Sequence, residues 1–271
     1  MEEKTKQLLK KRPYLAQWLE DKPRVAPVHH PLHLKKTDVW NEDLVKKFVA
    51  LTPSQIAVGR TGTRFLTKDM LAARAGHAVA KDAVYSEVND AFIESLNCIK
   101  LHSQNSDRED YLLYPNKGRR LDDESLERLT AEGTPNVDVQ IIVGDGLAAW
   151  AVERNVAAYL PVLFHELQAA NLSFGKVIFV RFARVGVQDH IGVTLAAKAT
   201  VILVGERPGL GTGDSLSAYI AYGPKLDQDN SDKNCISNIR QLGILPEAAA
   251  LETVDILKRA FAAGKGGISV I

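Results

Sequence analysis

The sequence predicts an α/β chain: a C-terminal parallel-sheet, Rossmann-like domain, preceded by a small helical domain and an N-terminal tail. Three observations point there. From residue 106 onward, short apolar runs stopped by glycine ("VDVQIIVGDG", "KVIFVRFARVG", "TVILVGE") alternate with helical stretches ("LAAWAVERNVAAYLPVLFHELQAAN", "DHIGVTLAAKA"). The runs are continuously apolar, the pattern of parallel strands covered on both faces. Residues 37–105 instead keep apolar side chains at helical spacing.

Bulk properties set limits on function. The chain has 271 residues, 45% of them hydrophobic and 25% charged, an ordinary globular composition. A formal net charge of +1 argues against a general nucleic-acid binder. Two cysteines, Cys98 and Cys235, lie far apart without zinc spacing, which suits a reducing, cytoplasmic setting. No run approaches the roughly 18 apolar residues of a membrane span.

Residues 1–36 read as a tail. Pro23, Pro27 and Pro31 deny it a regular helix, and His29, His30 and His33 lack a fourth metal ligand. Asp38 is expected to cap a helix containing Val39, Leu44, Val45, Phe48 and Val49. Thr67 is expected to cap a second helix, weakened at Gly76. Between them, Arg60 and Arg64 flank a glycine turn that could hold an anion or dock on another chain. In the 106–271 domain the helix after the first strand is expected to bend or break near Pro161. The closing helix starts near Pro246. Gly144, Val185 and Glu206 end three strands along one edge, where ligands of such sheets sit, with the strands of Val185 and Glu206 expected to be neighbours.

Motif spacing tests the chemistry. "GDGLAA" fits G-x-G-x-x-A, but Asp145 occupies the pyrophosphate's place and Arg181 and Arg184 stand where a ribose-binding acid would be. "GERPGLGT" is not a Walker loop. "GDSL" at Gly213–Leu216 carries a hydrolase tag, yet no histidine follows His190, so the Ser215 base is missing. No catalytic or metal-ligating residue is assigned to this chain. Cys235 by itself reads as a small buried residue.

The ordered set "GRTGTRFLT", "NVDVQIIVGDGL", "FVRFARV", "ILVGERPGLG", "SLSAYIAYGPK" and "CISNIRQLG" resembles the small (light) subunit of ethanolamine ammonia-lyase over about residues 38–271. The resemblance implies an adenosylcobalamin-dependent lyase that converts ethanolamine to acetaldehyde and ammonia. A catalytic large subunit is its partner, and the small subunit closes over the corrin and is inactive alone. It implies cofactor contacts at Val185 of "ARV", Glu206 of "GERPG" and Cys235 of "CISN", a setting inside a bacterial microcompartment, and a packaging role for the tail. Gly209 is expected to bring backbone close to the corrin and to adopt a positive φ. "DHIG" departs from the D-x-H-x-x-G pattern of a histidine that ligates cobalt, so His190 is expected to be an exposed first-turn residue. The alternatives are a stand-alone nucleotide-binding or regulatory α/β module and a structural subunit without cofactor contact.

Overall fold

The computed structural model describes residues 41–51, 56 and 58–270, together with Lys10. The chain runs through α1 (Glu42–Leu51), the short hairpin β1 (Arg60–Thr61) and β2 (Arg64–Phe65), and α2 (Thr67–Tyr85). Next come α3 (Asp90–Ser95), β3 (Ile99–His102), α4 (Arg108–Leu113) and α5 (Asp123–Glu132). The remainder is β4 (Val139–Gly144), α6 (Ala149–Ala169), β5 (Ile178–Arg181), α7 (Val187–Thr194), β6 (Ala199–Gly205), β7 (Leu216–Tyr222), β8 (Lys233–Ile239) and α8 (Pro246–Ala263). The readings on the three tail histidines, the packaging segment and Asp38 lie outside the described residues.

The α/β class holds, with one refinement of the sheet. Six strands are ordered β3-β5-β4-β6-β7-β8. The first four are parallel, while β7 runs antiparallel to β6 and β8 antiparallel to β7. The sheet is therefore mixed, because the 206–215 loop simply reverses the chain after β6 where a parallel return would need a helical crossover. Residues 37–105 are likewise not wholly helical, since β3 supplies an edge of this sheet.

Two apolar layers enclose the sheet. On one face Val139, Ile141, Val143, Val201 and Leu203 meet α6 and α8 through Val152, Val156, Leu163, Val254 and Leu257. On the other, Ile142, Ile178, Val180, Ile202 and Val204 meet α5 and α7 through Leu129, Val187 and Ile191. Tyr159 of α6 and Thr253 of α8 share a buried hydroxyl–hydroxyl bond inside the first layer.

At α1, Asn41 Oδ1 accepts from Leu44 N at 3.0 Å. Expectations for the later helices are corrected. Thr67 is already helical and Leu66 stands at the cap of α2 without a side-chain bond. α2 runs unbroken through Gly76, where a Cβ would lie 2.5 Å from the Leu210 carbonyl oxygen. Glycine is there for close approach. α6 also continues through Pro161 as one helix, its buried side chains spanning the proline on both sides. Pro246 does open α8.

A turn at Gly267–Val270 docks on the start of β8. Asn234 Nδ2 donates to Gly267 O at 3.0 Å, and Gly267 N donates back to Asn234 Oδ1 at 2.9 Å. At the same end of the strands, just before β4, Asp138 gathers three segments. It accepts from Lys198 Nζ at 2.8 Å, from Ser173 N at 2.9 Å and from Ser173 Oγ at 2.7 Å. The Lys198 bond, aided by Ser173, pulls the Asp138 carboxyl down from 3.8 to about 2. A depressed acid stabilises the fold above its unfolded value and loses that contribution as pH falls through the folded one. Asp138→Asn is expected to cost about 1 kcal/mol near neutral pH, allowing for solvent screening. Urea midpoints should show the deficit shrinking as pH falls from 3.8 toward about 2; a deficit constant over that window would show that the charge is not its source.

Candidate functional site

The carboxyl ends of the parallel strands converge on a set of turns, and each turn is built around a buried bond. After β4, Gly146 takes a φ of +61° and Leu147 N donates to Gly205 O at 3.0 Å. A Cβ on Gly146 would lie 2.5 Å from that same carbonyl oxygen, and one on Gly205 would lie 2.2 Å from Ala148 O. The start of α6 and the end of β6 thus touch through backbone alone. Asp145 between them is wholly buried. Its Oδ1 accepts from Ala183 N at 3.2 Å and its Oδ2 from Arg108 NH2 at 3.3 Å. Burial pushes its carboxyl above the ordinary range, opposed by the Arg108 charge. Arg108 also donates to Gly146 O and Ser86 O, both at 2.7 Å.

Beyond β5 the chain leaves the sheet at Phe182, whose φ of 56° is uncommon for a bulky side chain. The turn is held from two sides: Ser103 Oγ donates to Phe182 O at 2.9 Å and Tyr111 OH to Ala183 O at 3.0 Å. Arg184 lies over the Tyr111 ring at 4.0 Å and donates to Tyr111 O at 2.8 Å. Val185 follows in the loop, four residues past the last residue of β5, and its carbonyl accepts from Gln188 N in the first turn of α7.

Beyond β6, Glu206 is held by β7 and β8. Ser217 Oγ donates to its Oε1 at 2.6 Å and Asn238 N to the same oxygen at 2.8 Å. A register shift between Leu216 and Ala218 leaves an extra residue on β8, and Asn238 there takes a φ of 57°. This bulge aims the Asn238 amide at the carboxylate. Glu206 Oε2 has no partner among the described residues and remains able to accept a hydrogen bond.

These turns line an open-sided cavity of about 390 Å³. Val185, Val204 and Leu147 give it apolar wall, Glu206, Ser217 and Ser237 give it oxygen acceptors and hydroxyls, and Tyr219, Arg184 and Arg207 complete it. Cys235 is the cross-strand partner of Tyr219, so it stands beside the cavity on the same sheet face, exposed and unoxidised. The reading of Cys235 as a small buried residue is therefore corrected. Partial desolvation still raises its thiol above the ordinary value. Desolvation, then the neighbouring Cys235, pushes the Tyr219 phenol up to about 12, so it is a neutral donor at physiological pH. The structure brings Val185 and Glu206 to one cavity and Cys235 to its rim. One expectation about them fails: β4 lies between β5 and β6, so their strands are not adjacent.

A model of the ethanolamine ammonia-lyase light chain (EutC) family matches residues 42–270. The chain belongs to this family. It is 40% identical over 237 residues to the ethanolamine ammonia-lyase small subunit of Clostridium acetobutylicum, covering 88% of this chain and 98% of that one. It is 39% identical over 211 residues to the small subunit of Listeria monocytogenes, covering 78% and 72% of the two chains. With that of Fusobacterium nucleatum it shares 37% over 227 residues, covering 84% and 77%.

In this light-chain family member the competing motifs have structural explanations. Gly146 of "GDGLAA" serves the contact between the start of α6 and β6, Gly144 leaves room for Ala183, and Asp145 is committed to Arg108 and Ala183. Arg181 bonds Val88 O at 2.9 Å and Asp90 Oδ1 at 2.8 Å, away from any ribose position. Ser215 of "GDSL" is buried and its carbonyl accepts from Glu206 N at 2.9 Å. Arg60 folds over the Phe65 ring at 4.2 Å, and Asp69, in the first turn of α2, accepts from Gly59 N at 2.8 Å. An acid thus already sits where an anion would bind. Gly209 lacks the positive φ expected of it, and a Cβ there meets nothing within 4 Å. His190 is half-buried rather than exposed: its Nδ1 accepts from Leu121 N at 3.1 Å, and burial lowers its pKa. Among the described residues no helix is long and apolar enough to cross a membrane.

Sequence reasoning missed Tyr219, Ser217, Ser237 and Asn238. The alternation in "SLSAYIAY" was the available signal, because it places Ser217 and Tyr219 on one face. The bulge that recruits Asn238 left no mark in the sequence.

Proposed function

We propose that the chain is the small subunit of an adenosylcobalamin-dependent ethanolamine ammonia-lyase and closes one side of the cofactor site. The observation that carries this reading is the convergence of Val185 and Glu206 on one cavity, with Cys235 on its rim. The residues suit a corrin. Val185 and Val204 offer an apolar surface to its plane, while Glu206 Oε2 and the Ser217 and Ser237 hydroxyls suit peripheral amides or a ribose. When bound, the cofactor supplies a weak cobalt–carbon bond as a source of radicals. The chain's own part is to orient and to exclude water: Glu206, fixed at Oε1 by Ser217 and Asn238, presents its other oxygen without reorganisation. A corrin is larger than this open-sided cavity, which supports a large subunit as the other wall. On this reading the chain alone is inactive, and it works with that subunit in the cytoplasm, within a bacterial microcompartment.

The test is to produce the chain with and without a large subunit and to measure cobalamin absorbance and acetaldehyde release from ethanolamine. Both should require the two chains together, and turnover by the single chain would refute the division of labour. In the complex, Glu206→Ala should weaken cobalamin binding by about ten- to a hundredfold while thermal melts stay close to normal. Unchanged affinity would move the corrin away from this loop.

A further inference from the structure

The sheet face beside the cavity is organised in rows. Reading across β6, β7 and β8, one row is Thr200–Ala221–Lys233 and the next is Ile202–Tyr219–Cys235. The second row leads to the cavity. The first is occupied by α7, whose consecutive residues Gln188 and Asp189 reach down onto its two polar ends. Thr200 Oγ1 donates to Gln188 Oε1 at 3.0 Å, and Lys233 Nζ donates to Asp189 Oδ2 at 2.8 Å. The side chains of Lys233 and Asp189 are both 0% exposed. Asp189 Oδ1 has no hydrogen-bond partner among the described residues, so Lys233 supplies the one hydrogen bond to that carboxylate among them, with Arg119 and Arg120 acting on it only at a distance.

A buried ion pair is an expensive way to join a helix to a strand, since apolar side chains of similar volume commonly do it as well or better. What the pair provides that apolar packing does not is a fixed distance and direction. It joins the two elements that carry proposed cofactor contacts. Val185 is bonded through its carbonyl to Gln188, the residue before Asp189, and Cys235 is two residues past Lys233 on β8. The far end of β8 is tied separately, through Asn238 N, to Glu206. All three contacts therefore hang on two charged tethers of one strand.

We infer that Asp189 and Lys233 are positioning residues that set the spacing between Val185 and Cys235, and so the width of the cofactor cleft. The inference rests on the proposed cobalamin site. In this role the length of the pair matters, beyond its mere presence. Asp189→Glu keeps both charges but lengthens one arm by a methylene, and the double variant Asp189→Leu with Lys233→Met replaces the pair by apolar packing.

The experiment titrates hydroxocobalamin into the complex with the large subunit, followed by visible absorbance, with a thermal melt of each variant. Asp189→Glu is expected to bind at least about tenfold more weakly while its melt stays within a few degrees of the unmodified complex. The apolar double variant should lose affinity at least as far, even where its melt matches or exceeds that of the unmodified complex. Unmodified affinity in either folded variant would overturn the inference and leave the cobalamin site standing. Absence of binding in the unmodified complex would instead overturn the site itself, and the inference with it. If the apolar variant does not fold, Asp189→Glu decides the question alone.

Discussion

Arg108→Ala is expected to destabilise the chain by about 3–5 kcal/mol, the cost of leaving one member of a buried pair without its partner. Arg108 and Asp145 have side chains 7% and 0% exposed. Alanine would remove the cation from Asp145 and the donors from Gly146 O and Ser86 O together. The deficit should depend on pH with a definite sign. Burial already raises the Asp145 carboxyl, and losing Arg108 raises it further. An acid raised in the folded state contributes stability below its unfolded value and loses it as pH rises through the folded one. The Arg108→Ala deficit should accordingly be smaller at pH about 5 than at about 8, and Asp145→Asn on the same background should recover part of it at the higher pH. Urea midpoints at the two pH values provide the measurement; equal deficits would mean that Asp145 is not the group left exposed to the loss. Because Asp145 also holds Ala183 N, the turn carrying Arg184 and Val185 should loosen with it.

Gly205→Ala is the second large effect, and it acts by shape alone. The added methyl would lie 2.2 Å from Ala148 O and 2.8 Å from Asp145 O, both rigid backbone atoms at the start of α6. Overpacking of this kind costs about 1–3 kcal/mol, and contact with backbone on two sides places this case at the upper end. Relief requires β6 and the 145–148 turn to part, which shifts the adjoining Glu206. Thermal melting should fall by several degrees and cobalamin affinity of the complex should fall with it. A normal melt with normal affinity would show that this contact yields easily. Gly209→Ala is the matched control, because its Cβ would enter open space.

How much of this was visible in the sequence depends on the range of the interactions involved. The strands β4, β5 and β6 were legible because being covered on both faces leaves a continuous apolar run. β3 was not: "IKLH" is four residues with Lys100 and His102 on one side, and only its pairing with β5 makes it a strand. The mixed direction of the sheet was likewise hidden, since strand direction is decided by where the 206–215 loop returns. Val185, Glu206 and Cys235 were named from family motifs; strand alternation already put Val185 and Glu206 along one edge, whereas the place of Cys235 beside them emerges only from the register of β7 with β8. Asp189 illustrates the opposite error. The motif "DHIG" sets it beside His190, whereas its actual partner, Lys233, is 44 residues away. Local spacing shows which residues can share a turn; it does not reveal such distant pairs.

The turn docked on β8 has a consequence for biosynthesis. Asn234 waits for Gly267, 33 residues farther along the chain, before its side-chain amide is paired and the turn docks on the strand. At typical synthesis rates of about 5–20 residues per second that interval lasts roughly 2–7 s. Throughout it the sheet presents an unpaired edge, which is a template for pairing with a neighbouring nascent chain. The strand meets that interval with the exposed polar residues Ser237 and Asn238 near its end, and with a bulge against β7 that bends it there. Polar residues and a bent strand are poor substrates for edge-to-edge association. The irregularity that positions Glu206 in the finished subunit also protects the unfinished one on a crowded polysome.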